Sequence, residues 1–139
     1  MCSSDLPSAG GVLVTARPPL AAFNLELEAG TAAATGREIA AGLRESGGGL
    51  PGVRALAIEL APGRIQISTN VHDPLAIPLA RVVAAVQNLA VPRGSRAVGA
   101  ELVGLVPAAA LAGYPDEVPI AGADPGARTI EGRLATAFD

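Results

Sequence analysis

Gly99-Ala100-Glu101-Leu102-Val103-Gly104-Leu105-Val106-Pro107 is the stretch whose reading decides the fold. Small and branched apolar residues surround one carboxylate, and a proline follows. The pattern predicts a strand over 97–106, with Pro107 opening a short helix to residue 111. An unpaired carboxylate buried among apolar groups costs on the order of several kcal/mol, so Glu101 needs a reason to be there. If Ala100 and Leu102 face the core, the two-residue period of a strand turns Glu101 to the other side.

Working outward, the stretch 20–28 alternates in the same way. Ala21, Phe23, Leu25 and Leu27 point one way; Ala22, Asn24, Glu26 and Glu28 point the other. Thr31 is placed to cap a helix running to about residue 45, with Gly36, Ile39, Ala40 and Leu43 as its inward stripe. Ser46-Gly47-Gly48-Gly49-Leu50-Pro51-Gly52 ends it. Residues 53–60 form a second strand with Leu56, Ile58 and Leu60 on one face. Ala61-Pro62-Gly63 turns the chain into a third strand, 64–71, with Ile65, Ile67, Thr69 and Val71 facing in. Arg64, Gln66, Ser68 and Asn70 face out. A second helix begins with Pro78 in its first turn and carries Leu79, Val82, Val83, Val86 and Leu89 inward; Pro92-Arg93-Gly94 stops it. Residues 114–126 read as a loop, and 129–138 as a weak terminal helix or a free tail.

The order strand, helix, strand, strand, helix, strand defines an α+β chain of ferredoxin-like type. This is a split βαββαβ sandwich, a four-stranded antiparallel sheet with two helices on one face, plus a C-terminal short helix and tail. The expected domain organisation is an artefactual start over 1–6, a linker over 7–18, the folded subdomain over 19–113, and a loop and tail over 114–139. Met1-Cys2-Ser3-Ser4-Asp5-Leu6 fits no element, and its CSSDL string resembles a translated sequencing adapter.

Composition narrows the function. The chain has 139 residues, enough for one domain with a modest core. Half are apolar but only 2% aromatic, so the core is built from Ala, Val, Leu and Ile. A net charge of −3 supplies no basic field for nucleic acid. One cysteine, Cys2, excludes a disulfide framework and a cysteine zinc site. No apolar run reaches the roughly 18 residues that span a bilayer, and the first residues lack a secretory pattern. The expected compartment is the cytoplasm, with no membrane partner and no metal.

The helices leave one sheet face uncovered. Asn24, Glu26, Gln66, Ser68 and Asn70 belong to it, and Glu101 joins them by parity. A solvated face explains such residues; so does a face that meets a ligand or a second layer, which the uncharged amides favour. The one histidine, His72, lies in a turn beside Asp73, and no serine sits in a nucleophile elbow. Residue chemistry alone offers binding groups and no catalytic engine.

Four phrases in order carry a resemblance. Pro18-Pro19-Leu20-Ala21-Ala22-Phe23-Asn24-Leu25, Arg44-Glu45-Ser46-Gly47-Gly48-Gly49-Leu50-Pro51-Gly52-Val53-Arg54-Ala55-Leu56, Gln66-Ile67-Ser68-Thr69-Asn70 and Glu101-Leu102-Val103-Gly104-Leu105-Val106-Pro107 resemble the C-terminal subdomain of glutamate formimidoyltransferases. The resemblance implies a transferase of histidine degradation. It would move a formimino group from N-formimino-L-glutamate to tetrahydrofolate, its co-substrate, bound between two subdomains whose sheets face each other. It also implies a homodimer. The segment from Gly10 and Gly11 to Arg17 resembles the junction that the family uses near folate. Folate- and substrate-binding residues are then Gly10, Gly11, Arg17, Asn24, Ser68, Asn70 and Glu101. No catalytic residue is expected, because the family's catalytic histidine belongs to an N-terminal subdomain that this sequence lacks. The expectation is a truncated enzyme, inactive alone, whose partner is that missing subdomain. The competing reading is a non-catalytic ferredoxin-like protein-interaction module. Glu101 is expected to look under-satisfied within this chain and not to sit beneath the helices; the structural alternative is pairing with an arginine such as Arg64 or Arg96.

Overall fold

A computed structural model describes residues 11, 14–16, 18–122 and 124–137. Four strands, β1 (Ala21–Leu27), β2 (Val53–Ala61), β3 (Arg64–Val71) and β4 (Ala97–Val103), form one sheet in the order β2-β3-β1-β4. Every neighbouring pair is antiparallel. Helices α1 (Ala33–Leu43) and α2 (Leu79–Ala90) cover one face, and α3 (Ile130–Ala137) lies at the C-terminus. The ferredoxin-like α+β sandwich is the fold.

Alternation fixes which side of each strand is dry. Phe23, Leu25 and Leu27 of β1 and Ile65, Ile67 and Val71 of β3 are fully buried. They meet Ile39, Ala40 and Leu43 of α1 and Leu79, Val82, Val83 and Val86 of α2. The inward stripe of α1 is the one its spacing predicts. In α2 the last buried position is Ala90, and Leu89 packs at the margin. Gly36 lets α1 settle onto the sheet, since a Cβ there would lie 2.5 Å from Ile65 Cγ2. Thr69, the polar residue of the inner face of β3, donates its hydroxyl hydrogen to the Phe23 carbonyl.

Two local expectations are corrected, and a third is completed. Thr31 does not cap α1: the helix starts after Ala32 with no side-chain cap. The Thr31 hydroxyl donates instead to the Glu28 carbonyl at 2.6 Å and meets Ser95 Oγ at 2.6 Å. β4 ends at Val103 rather than at residue 106, because Gly104 turns the chain with φ +86. Leu56, Ile58 and Leu60 share a face of β2, and it is the open one, where they are 55%, 37% and 49% exposed.

The C-terminal segment is held against β4. Ala100 donates its N–H to Pro119 at 2.9 Å and accepts from Ala121 at 2.7 Å, a one-residue parallel bridge to Ile120. A second bridge joins Val106 to Thr129. Val118 and Ile120 of this strap, residues 118–121, are buried. Tyr114 donates its hydroxyl to the Val118 carbonyl at 2.9 Å and sets its ring edge-on to Phe23, 6.1 Å away. The outer edge of β4 is therefore partly occupied by the chain itself.

Candidate functional site

The face opposite the helices is organised in rows by strand register. Leu56, Ser68, Asn24 and Glu101 stand abreast across β2, β3, β1 and β4. Ile58, Gln66, Glu26 and Gly99 form the next row; Arg54, Asn70, Ala22 and Val103 form the row on the other side. Strands lie about 4.8 Å apart, so Asn24 sits in the middle of a polar band with Ser68 and Glu101 as immediate neighbours. Asn70 lies one row along β3.

Glu101 is exposed and turned away from the helices, while Ala100 and Leu102 on either side are buried. Its parity is as the sequence predicts. It is also under-satisfied, as the sequence predicts, with one partner: Asn24 Nδ2 donates to Glu101 Oε2 at 3.1 Å. Neither arginine proposed from the sequence reaches it. Arg64 donates through Nε and Nη2 to Glu26 Oε1, at 3.0 and 2.8 Å, and Arg96 pairs with Glu28 at 3.4 Å. Both arginines choose carboxylates of β1 or its end, which lie closer in the register. Glu101 Oε1 makes no hydrogen bond among the described residues and remains an acceptor for something else.

These groups floor a shallow cavity of about 450 Å³ lined by Asn24, Glu26, Arg64, Gln66, Gly99 and Glu101. Leu60 forms an apolar margin, and Pro119 and Ala121 of the strap make the wall beside β4. Acceptors (Glu101, Glu26), amides (Asn24, Gln66) and a guanidinium thus converge on one space. The arrangement can hold a planar, N–H-rich group against the sheet. It offers no nucleophile with an adjacent base. Among the described residues no cluster of histidine, cysteine, aspartate or glutamate could hold a metal ion.

Of the residues expected from the sequence, Asn24, Ser68 and Glu101 are brought into one row, and Asn70 into the next. Gly11 is exposed. Gly10 and Arg17 lie outside the described residues. His72 is not on this row: its backbone N–H donates to Gly52 at 2.9 Å, and it lines a separate cleft of about 350 Å³ with Pro18, Pro19, Leu75, Leu105 and Ile130. Asp73 uses Oδ1 to accept from the N–H groups of Leu75 and Ala76, at 3.2 and 3.0 Å, as a turn residue does. Sequence reasoning missed the strap wall. Parity could have found Gly99, but no periodicity announces Pro119 and Ala121.

The acidity of Tyr114 departs clearly from the ordinary. Burial pushes its phenol up from 10.0 to about 12, because the charged form would be poorly solvated there. It therefore serves as a neutral donor to the strap.

The formiminotransferase domain is the family whose model matches this chain, over residues 22–115. The chain belongs to the formiminotransferase domain family. Glutamate formimidoyltransferase of Thermoplasma acidophilum is 36% identical to it over 109 residues, covering 78% of this chain and 36% of that relative. The chain thus spans little more than a third of the length of the curated relative it matches. The formiminotransferase match begins within β1 and ends just past Tyr114, so the strap residues 118–121 lie beyond it. All four residues of the Leu56–Ser68–Asn24–Glu101 row fall inside. No helix among the described residues is long and apolar enough to cross a membrane.

Proposed function

We propose that this chain is the folate-facing subdomain of a glutamate formimidoyltransferase. It would bind tetrahydrofolate and N-formimino-L-glutamate between its open sheet face and a companion subdomain, in the cytoplasm and as part of a homodimer. One observation carries this reading. The face that holds the polar row also carries Leu56, Ile58 and Leu60 half in water, a composition suited to a covering layer and not to solvent alone. A free-standing interaction module would also cover this face, but it would not need Asn24 and Glu101 aligned as a donor–acceptor pair.

Formimino transfer forms a C–N bond from the formimino carbon to a folate nitrogen and breaks the C–N bond to glutamate; a proton goes to the leaving amine. The formimino group is an amidine, cationic when protonated, with N–H groups in a planar fork. A carboxylate matches that fork and stabilises its charge. Glu101 has that role here, with Asn24 holding one of its oxygens so that the other faces the ligand. Ser68, Asn70 and Gln66 supply hydrogen bonds along the band. Gly10, Gly11 and Arg17 of the arriving segment would meet the folate, Arg17 pairing with its glutamate carboxylate. A proton shuttle within hydrogen-bond reach is still required; Glu26 is engaged by Arg64 and Glu101 has the charge-stabilising role, so we assign the shuttle to the companion subdomain. The chain alone is inactive on this reading.

Calorimetric titration with tetrahydrofolate, with and without an added N-terminal subdomain of a relative, tests the proposal. Binding and transfer are expected with the companion and weak or no binding without it. Glu101→Gln is expected to lower kcat in the complemented enzyme by roughly a hundredfold. Identical signals with and without the companion, or full activity of the Gln variant, would refute the reading.

A further inference from the structure

The two outer edges of the sheet differ. The strap meets β4 at Ala100. On the other side β2 ends the sheet with no further strand, and the register tells which of its groups face outward. His72 donates its N–H to the Gly52 carbonyl at 2.9 Å, one step beyond the Val53↔Val71 pair and in the same register. Hydrogen-bonded pairs alternate with non-bonded ones along an antiparallel ladder. Arg54, Leu56 and Ile58 therefore turn their N–H and C=O groups toward β3, while Val53, Ala55, Ala57 and Glu59 turn theirs outward. Val53 agrees, since its N–H donates away from β3, to Leu50 at 3.2 Å. The register shift between Glu59 and Ala61 ends the regular stretch. That leaves Ala55, Ala57 and Glu59, whose outward N–H and C=O groups have no backbone partner among the described residues.

These residues are spaced evenly about Ala57, so the edge is complementary to itself under a two-fold axis. Set antiparallel to a second β2, Ala57 meets Ala57 and Ala55 meets Glu59, each pair exchanging both of its hydrogen bonds. Leu56 then stands opposite Ile58 of the second copy on the open face, where both are exposed in the single chain, at the close spacing of a non-hydrogen-bonded pair. Charge favours the same arrangement. Arg44 and Arg54 line a cleft of about 410 Å³ at the start of β2, together with Glu45, Ser46, Val53 and Ala55. Glu59 lies at the other end of the regular stretch. Arg44, Arg54 and Glu59 form no ion pair among the described residues. Antiparallel pairing carries each Glu59 to the arginine end of the other copy. Residues 53–59 also lack the proline and lysine that commonly block an edge.

We infer that two copies of this chain pair through the β2 edge, centred on Ala57, and join their sheets into one. Residues of like parity stand opposite each other, so the helices of both copies stay on the same side. The strap occupies the β4 edge, so pairing closes at two copies and does not run on into a fibre. This gives a surface to the homodimer of the functional reading, yet it rests on the strand edge and not on folate. Pairing in the plane of the sheet leaves both open faces free for their companion subdomains.

The test uses the full chain, sedimentation equilibrium over a dilution series, and amide hydrogen exchange followed by NMR. A dimer that dissociates on dilution is expected. The amides of Ala55, Ala57 and Glu59 should be protected in the dimer and exchange freely in the monomer, while those of Arg54, Leu56 and Ile58 stay protected in both. Ala57→Pro removes the central outward N–H, leaves the β2–β3 bonds in place, and should abolish pairing. Glu59→Arg should weaken pairing by roughly tenfold, and Arg54→Glu added to it should restore most of the loss. This charge swap lies on exposed positions and decides the matter if Ala57→Pro does not fold. A monomer at every concentration overturns the inference. So does a dimer in which the three outward amides exchange freely, or one that Glu59→Arg leaves unchanged. The folate reading fails separately: a β2-paired dimer that performs no formimino transfer when complemented sinks that reading and leaves the pairing, and transfer by a chain that never pairs does the reverse.

Discussion

Removing the Thr31 hydroxyl should destabilise the chain more than removing its partner at Ser95, although the two oxygens are only 2.6 Å apart and both residues are buried. The Thr31 hydroxyl has one hydrogen, and the Glu28 carbonyl accepts it at 2.6 Å. Ser95 must then be the donor in the pair, giving a chain from Ser95 to Thr31 to the Glu28 carbonyl. Ser95→Ala removes one neutral hydrogen bond and leaves only a spare lone pair, a loss of about 1 kcal/mol. Thr31→Val keeps the shape, removes both bonds, and strands a buried hydroxyl hydrogen on Ser95; the loss is about 2–4 kcal/mol. In the double variant the stranded donor is gone, so its loss should not exceed that of Thr31→Val alone, a coupling of about 1 kcal/mol. Urea unfolding of the four proteins measures the cycle, and melting temperatures should follow at about 4 °C per kcal/mol for a chain of this size. Equal losses in the single variants, or additive losses in the double, would refute the assigned direction. The site matters beyond stability because it ties the end of β1 to the start of β4, where Glu28 N–H also donates to Arg96 at 2.8 Å. Those two strands carry Asn24 and Glu101.

Three further outcomes are expected. Gly36→Ala should lose about 1–3 kcal/mol despite the gain in helix propensity, because Ile65 is β-branched and cannot swing away from a Cβ at 2.5 Å. Gly42→Ala should be neutral or stabilise by up to about 1 kcal/mol, since its Cβ meets only the terminal methyls of Leu89, the nearest at 3.1 Å; chemical denaturation separates the two. Stability should also fall as pH rises from 10 toward 12. In that window the unfolded tyrosine ionises while Tyr114, pushed up to about 12, does not, so the unfolded state loses protons first; below pH 10 the term is fully present. The loss is about 1–2 kcal/mol after allowance for partial exposure, and Tyr114→Phe should flatten the slope in a pH series of unfolding curves. It should also cost about 1 kcal/mol at neutral pH through the bond to Val118.

Much of this molecule follows from periodicity. The alternation of 20–28 and 64–71 fixed which residues are dry, and the spacing of Gly36, Ile39, Ala40 and Leu43 fixed the buried side of α1, because a strand repeats every two residues and a helix every 3.6. The same parity set Asn24, Ser68, Asn70 and Glu101 on a common face before any contact was known. Periodicity says nothing about pairing between distant elements. The meeting of Thr31 with Ser95 rather than with the first turn of α1, the choice of Glu26 by Arg64, and the Asn24–Glu101 bond all depend on register across β1, β3 and β4. Leu56, Ile58 and Leu60 show the limit most plainly: the sequence puts them on one side of β2, but only the placement of the helices makes that side the open one. The strap is the other tertiary decision. Residues 118–121 carry no strand pattern and reach β4 through a single residue, Ala100, so their role beside Glu101 exists only once the sheet has formed and its outer edge has N–H and C=O groups left to satisfy.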